Sequence, residues 1–203
     1  MMGPVYVITD PGAPRPVPDQ ARAALRGGAR CVQIRDKHAS DADLAALVTR
    51  LLPEVSAHGA RLIVNDRVEV ALATGAHGLH VGQGDGDPAA IRARLPAGMI
   101  LGLSIETLAQ ARRIPPGVDY IGAGPIRATT TKPDHAAPIG LAGLARIVAA
   151  AGLPTYAIGG LGPEDAAAIR ATGAIGMAVV SAVTRAPDME AATRRLVAHW
   201  SPQ

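Results

Sequence analysis

The sequence predicts a single (β/α)8 barrel over residues 1–203, and three observations carry that expectation. The first is a repeat. Gly28-Ala29-Arg30-Cys31-Val32-Gln33-Ile34-Arg35, Gly59-Ala60-Arg61-Leu62-Ile63-Val64-Asn65-Asp66, Gly75-Ala76-His77-Gly78-Leu79-His80-Val81-Gly82 and Gly173-Ala174-Ile175-Gly176-Met177-Ala178-Val179-Val180-Ser181 share one plan. Each joins a glycine able to end a helix to a short apolar run with a polar or glycine terminus. The second is the set of Ala-rich amphipathic stretches between such runs; strands alternating with helices imply parallel pairing, because each return to the sheet needs a crossover. The third is that polar strand ends recur on nearly every strand, as a closed ring sharing one site requires. An open doubly wound sheet is the fallback.

In chain order, the first strand starts at Val5 and gives way to Thr9 and Asp10. The second ends in Gln33, Arg35 and Lys37, and a helix follows over Asp41 to Leu52. The third ends in Asn65-Asp66-Arg67, and the fourth in His80, Gln83 and Asp85. A helix from Pro88 to Leu95 comes next, with Asp85 or Asp87 placed to cap it. The fifth strand starts at Ile100 and reaches Ser104; the sixth starts at Val118. Helices over Leu141 to Ala151, Pro163 to Thr172 and Asp188 to Trp200 alternate with a seventh strand from Pro154, ending at Gly159-Gly160, and an eighth ending at Ser181.

After the sixth strand, Gly124 to Gly140 shows no helical or strand period, and it holds Arg127-Ala128-Thr129-Thr130-Thr131-Lys132-Pro133-Asp134. Loops beyond about twelve residues without structure of their own are usually functional or disordered. Threonine hydroxyls and a lysine ammonium suit phosphate oxygens, so Thr129 to Lys132 is expected to form a phosphate-gripping lid.

Composition narrows the function classes. A net charge of +3 invites a nucleic-acid reading, but the basic residues are scattered and aromatics make up only 2%, so stacking platforms are lacking. A small anionic substrate accounts for the excess of base as well. Cys31 is the sole cysteine, which excludes an intrachain disulfide and points to a reducing cytoplasm. No run approaches the roughly 18 apolar residues of a membrane span, and Met1 to Asp10 has no basic patch before an apolar run. The expected protein is soluble and cytoplasmic, without nucleic-acid or membrane partners; self-association is left open.

In a barrel the residues after each strand converge on one mouth. There Arg35 and Lys37, about one strand repeat apart, offer a bidentate and a point-charge partner for phosphate. Asp66 and Asp85 close adjacent βα loops, so they could share one magnesium ion, a hard cation that takes one or two carboxylates, waters and substrate phosphates. Gly159-Gly160 and Val180-Ser181 follow strands seven and eight, where barrels bind phosphate on backbone amides. Together these are the inventory for a polyphosphate with a divalent metal.

The chain resembles thiamine phosphate synthase from Tyr6 to Ala192, in nine collinear motifs: Tyr6-Val7-Ile8-Thr9-Asp10, Gln33-Ile34-Arg35-Asp36-Lys37, Asn65-Asp66-Arg67, Gly78-Leu79-His80-Val81-Gly82-Gln83, Ile100-Leu101-Gly102-Leu103-Ser104, Asp119-Tyr120-Ile121-Gly122-Ala123-Gly124-Pro125-Ile126, Thr129-Thr130-Thr131-Lys132, Ala157-Ile158-Gly159-Gly160 and Val180-Ser181-Ala182. The resemblance implies condensation of a pyrimidine methyl diphosphate with a phosphorylated hydroxyethylthiazole, the carbon–oxygen bond to pyrophosphate breaking first. It implies Asp66 and Asp85 on magnesium, and Arg35, Lys37 and Lys132 stabilising the departing pyrophosphate beside Asn65, Ser104 and Thr131. Gln33 would orient the pyrimidine; Thr129, Gly160 and Ser181, with the amides around Val180, would hold the thiazole phosphate. Two positions depart from the family pattern: Gly84 where an acidic residue is common, and Glu106 where a His is frequent. A related thiazole tautomerase relies on that His and typically lacks the Thr-x-Thr-Lys lid, so both features favour the synthase. A non-catalytic phosphate-binding barrel and a lysine-based aldolase are the remaining alternatives. The aldolase is weak, because Lys37 and Lys132 are the only lysines and neither lies within an apolar strand.

Overall fold

The computed structural model of the protein describes residues 2–129, 131 and 136–200. Eight parallel strands form a closed barrel in chain order: β1 (Val5–Ile8), β2 (Cys31–Ile34), β3 (Arg61–Asn65), β4 (Gly78–Val81), β5 (Ile100–Ile105), β6 (Tyr120–Ala123), β7 (Thr155–Ile158) and β8 (Gly176–Val179). β8 pairs back onto β1 with Val5 opposite Met177, so the sheet has no free edge. All eight expected strands are present, and the closed ring replaces the open-sheet fallback.

Around the ring lie α1 (Val17–Arg26), α2 (Asp41–Ala57), α3 (Val68–Thr74), α4 (Pro88–Arg94), α5 (Leu108–Ala111), α6 (Gly140–Ala151), α7 (Ala166–Ala171), α8 (Ser181–Thr184) and α9 (Met189–Trp200). The stretch expected as one helix from Pro163 is a 3-10 turn over Pro163–Asp165 that runs into α7. α2 continues through Pro53, although a proline inside a helix forfeits a backbone hydrogen bond and costs about 3 kcal/mol. Two contacts hold the turn beyond it: Val55 is fully buried, and Glu54 accepts two hydrogen bonds of 2.8 Å from the Arg22 guanidinium on α1. Ser40 caps the start of this helix by accepting from the Asp43 amide.

Side chains alternate across each strand, which divides the core into two shells. Outward-facing Val7, Val32, Ile34, Leu62, Val64, Leu79, Leu101 and Ile121 pack with helix residues such as Leu44, Leu51, Leu144 and Leu196. The inner shell is built from Tyr6, Ile8, Cys31, Ile63, Tyr120, Tyr156 and Ala178. The three tyrosine rings meet edge to face, with centroids 5.5–6.0 Å apart. Glycine makes their room: a Cβ on Gly102 would lie 2.2 Å from the Tyr120 ring, and one on Gly176 would lie 2.5 Å from Tyr156.

Candidate active site

A cavity opens at the C-terminal ends of the strands, and every strand supplies it. Ile8 and Thr9 come from the first strand and its loop; Gln33, Arg35 and Lys37 from the second; Asn65 from the third. His80 and Asp85 follow from the fourth and Ser104 from the fifth. Thr129 and Thr131 lie beyond β6, Gly159 and Gly160 beyond β7, and Val180 and Ser181 beyond β8. Apolar Ile158, Leu161, Ala178 and Val179 complete the walls. Of the sequence-predicted site residues, Lys132 lies outside the described residues, as do Thr130, Pro133 and Asp134 of the expected lid. Asp66 is not on the cavity wall; the other candidates are.

The cationic side is tied together by the backbone. The Arg35 amide donates to Thr9 Oγ1 at 3.0 Å, which fixes the start of the loop after β2. Lys37 Nζ lies 3.5 Å from Asp66 Oδ2, and Asp66 Oδ1 lies 3.2 Å from Arg67 Nε. Arg67 also donates to the Lys37 carbonyl at 3.2 Å and to Asp41 at 2.7 Å, stapling the loops after β2 and β3 together. Asp66 sits at φ 51°, the one non-glycine residue with positive φ among those described. Such conformations cost energy, and they persist where surrounding contacts over-determine them.

Asp85 accepts a 2.7 Å hydrogen bond from the Gly82 amide, whereas Asp87 caps α4 by accepting from Ala89. Of the two capping candidates the sequence offered, Asp87 is therefore the one used, and Asp85 faces the cavity. No cluster of three or more His, Cys, Asp or Glu able to hold a metal occurs among the described residues. Magnesium does not require one, since it keeps several waters and uses one or two carboxylates plus phosphate oxygens. Asp85 offers an oxygen at the cavity wall. The Asp66 carboxylate is engaged by two cations, but half-exposed Lys37 can swing away from it. The donor set fits a hard divalent ion shared with a phosphorylated substrate.

On the opposite side, Gly159 and Gly160 adopt φ 104° and 66°. A Cβ on Gly159 would lie 2.5 Å from Pro125, so this corner admits only glycine. Arg127, in the same segment as the threonines expected to grip phosphate, is held elsewhere. Its guanidinium forks onto Asp165 at 2.8 and 2.5 Å and donates to the Gly160 carbonyl at 3.0 Å. Arg127 thereby braces the glycine corner, and it holds the Asp165 carboxyl below the usual aspartate range.

Sequence reasoning gave no role to a chain of hydrogen bonds beneath the mouth. Gln33 Nε2 donates to Tyr6 Oη at 2.6 Å, and Tyr6 Oη lies 2.9 Å from Tyr120 Oη. Tyr120 Oη lies 2.9 Å from His80 Nδ1, and His80 Nε2 lies 2.9 Å from Ser104 Oγ. Burial pushes the His80 imidazole down to about 4, with Asp85 opposing weakly, so the ring is neutral at pH 7. Ser104 beside His80 has the outline of a nucleophile and its base. An imidazole so depressed is too weak a base for that work near neutrality, and no carboxylate orients its second nitrogen. The sequence signal for this chain is the glycine at positions 102 and 122, whose missing Cβ atoms face His80.

The chain as a whole is similar to known proteins. A family model described as thiamine monophosphate synthase matches residues 5–183. Thiamine-phosphate synthase of Chloroflexus aurantiacus is 48% identical over 195 residues, covering 95% of this chain and 90% of that protein. The enzyme of the same name from Roseiflexus sp. is 47% identical over 197 residues, covering 96% and 84%. Among solved structures, thiamine phosphate pyrophosphorylase from Pyrococcus furiosus superposes with a TM-score of 0.88 at 35% identity, covering 97% of this chain and 94% of that one. A barrel closed around this mouth, matched at such identity over nearly its whole length, belongs to the thiamine monophosphate synthase family.

Proposed function

We propose that the protein condenses 4-amino-5-hydroxymethyl-2-methylpyrimidine diphosphate with hydroxyethylthiazole phosphate, giving thiamine phosphate and pyrophosphate. The bond from the pyrimidine methylene to the diphosphate oxygen breaks, and pyrophosphate leaves with the electron pair. The thiazole nitrogen then gives its lone pair to the methylene cation. One observation carries this reading: a mouth with cations on one side and a glycine corner on the other, over apolar walls, with no strong base among its described residues. Such a site stabilises a departing anion and a transient cation, and needs no proton abstraction.

Within it, Arg35 and Lys37 neutralise charge developing on the diphosphate, with Lys132 expected to join them. Asn65, Ser104 and Thr131 donate to the same group, and Gln33 sets the pyrimidine. Thr129, Gly160 and Ser181, with the amides opening α8, receive the thiazole phosphate, since the first amides of a helix lack partners within it. Asp66 and Asp85 would hold magnesium, which when bound supplies positive charge to the leaving group. Lys37 is then free to leave Asp66 for a phosphate oxygen. The tautomerase reading is not favoured: Glu106 occupies the position where that reading needs a His, and the relatives of high identity are synthases.

The experiment is incubation of purified protein with both phosphorylated substrates and magnesium, with thiamine phosphate detected by chromatography. Failure to form it, with the protein folded and both substrates intact, removes the reading.

A further inference from the structure

The hydrogen-bond chain crosses the barrel from Gln33 on β2 to Ser104 on β5, and all of its members except Ser104 are buried. Tyr6 and Tyr120 are each 1% exposed, Gln33 2% and His80 9%. Each tyrosine hydroxyl carries one proton, and a neutral imidazole carries one ring proton. A buried donor facing a donor, or a lone pair facing a lone pair, is costly, which favours two head-to-tail states of the chain.

In one state every proton points from β2 towards β5. The Gln33 amide donates to Tyr6, Tyr6 to Tyr120, Tyr120 to His80 Nδ1, and His80 Nε2–H to Ser104. Ser104 then has its own proton to offer the cavity, while Gln33 turns its carboxamide oxygen there. In the other state all four hydrogen bonds reverse. Ser104 spends its proton on His80 and shows the cavity only lone pairs, and Gln33 shows its NH2 group.

We propose that this chain is a positioning relay that makes Gln33 and Ser104 read the two ends of one substrate together. A diphosphate oxygen at Ser104 is an acceptor, so it selects the first state; Gln33 then presents an acceptor and selects a donor on the ring. Rested on the synthase reading, the site demands an amino group at one end because an anion sits at the other. A 4-oxopyrimidine diphosphate, of nearly the same shape, is refused through the relay. Tyr6 and Tyr120 act through Gln33 and Ser104, and neither of them lines the cavity.

The test compares the 4-amino and 4-oxo pyrimidine diphosphates in the wild type, Tyr6→Phe, Tyr120→Phe and Tyr156→Phe. Tyr156→Phe is the control, because its hydroxyl is spent on the Gly3 carbonyl at 2.8 Å and lies outside the relay. Preference in kcat/KM for the amino substrate should fall about tenfold or more in Tyr6→Phe and Tyr120→Phe, as expected for one uncoupled hydrogen bond of about 1.4 kcal/mol. It should fall mainly through KM for the pyrimidine, and it should persist in Tyr156→Phe. Unchanged preference in a folded Tyr120→Phe or Tyr6→Phe protein, or an equal loss in Tyr156→Phe, overturns the relay.

A second measurement needs neither turnover nor variants. Saturating pyrophosphate with magnesium should tighten wild-type binding of the free 4-aminopyrimidine alcohol, read by calorimetry, and leave its 4-oxo analogue unaffected. Equal effects on both, or none, overturn the relay even if thiamine phosphate is made. Absence of thiamine phosphate alongside intact linkage removes the synthase reading and spares the relay.

Discussion

Gly102 is where the tyrosine packing can be tested with a single methyl group. In Gly102→Ala the new Cβ lies 2.2 Å from Tyr120 Cζ and 2.4 Å from His80 Nδ1. Ordinary carbon contacts fall near 3.5–4.0 Å, so something must move by more than about 1 Å. Neither neighbour can yield cheaply. Gly102 is in register with both His80 and Tyr120, so the methyl is driven between two adjacent strands. Both rings are also held by hydrogen bonds on their far sides. Overpacking a core costs about 1–3 kcal/mol, and each strained buried hydrogen bond about 1 kcal/mol more, for a total of about 3–5 kcal/mol. For a chain of this length that lowers the melting temperature by about 6–20 °C. The matched control is Gly84→Ala, where nothing lies within 4 Å of the added methyl. Thermal unfolding by circular dichroism should separate the two variants from each other and leave Gly84→Ala at the parent value. A Gly102→Ala protein melting within about 2 °C of the parent would refute the packing argument.

Three further outcomes are expected. Asp66→Ala or Asp85→Ala should each lower the rate by about 10²-fold or more, and excess chelator should abolish turnover; full activity in chelator would dismiss the metal. Lys132→Ala should reduce turnover steeply with an unchanged melting temperature, whereas unchanged turnover would return that loop to a plain connection. The Arg127–Asp165 pair should leave an acid signature. Because Arg127 depresses the folded carboxyl below its unfolded value, the pair's stabilisation is complete above the ordinary aspartate range and is lost as pH falls through the depressed value. Melting temperatures of Asp165→Asn should therefore converge on those of the parent at low pH and reach their full separation by about pH 4; a separation that is the same at every pH would dismiss the pair.

The strands were legible in the sequence because each is a buried apolar run behind a glycine, a local signal that tertiary packing reinforces. The helices were legible only in part. α5 and α8 are single turns, too short to show a period, and α1 begins at Pro16 and Val17 in a stretch punctuated by prolines. Pro53 marks a sensible local end for α2, and the turn beyond it exists because Arg22, on another element, holds Glu54. At the mouth, charged and hydroxyl residues were legible from their position after strands. The role of Arg127 was not legible for the opposite reason: its partner Asp165 lies on a different loop, and no local pattern announces that pairing. The tyrosines read as strand residues alone, since only closure of the ring brings Tyr6 from β1 against Tyr120 from β6.

That closure also bears on how the protein is made. Of the eight strands β1 leaves the ribosome first and its second neighbour, β8, leaves last, yet Val5 and Met177 must pair for the ring to shut. Until then β1 keeps one row of backbone donors and acceptors unpaired, the kind of edge that recruits strands from other chains. The nascent barrel thus carries an adhesive margin until β8 has emerged. Translation speed and chaperone occupancy over the final two strands should therefore govern its soluble yield more strongly than the same conditions applied in mid-chain.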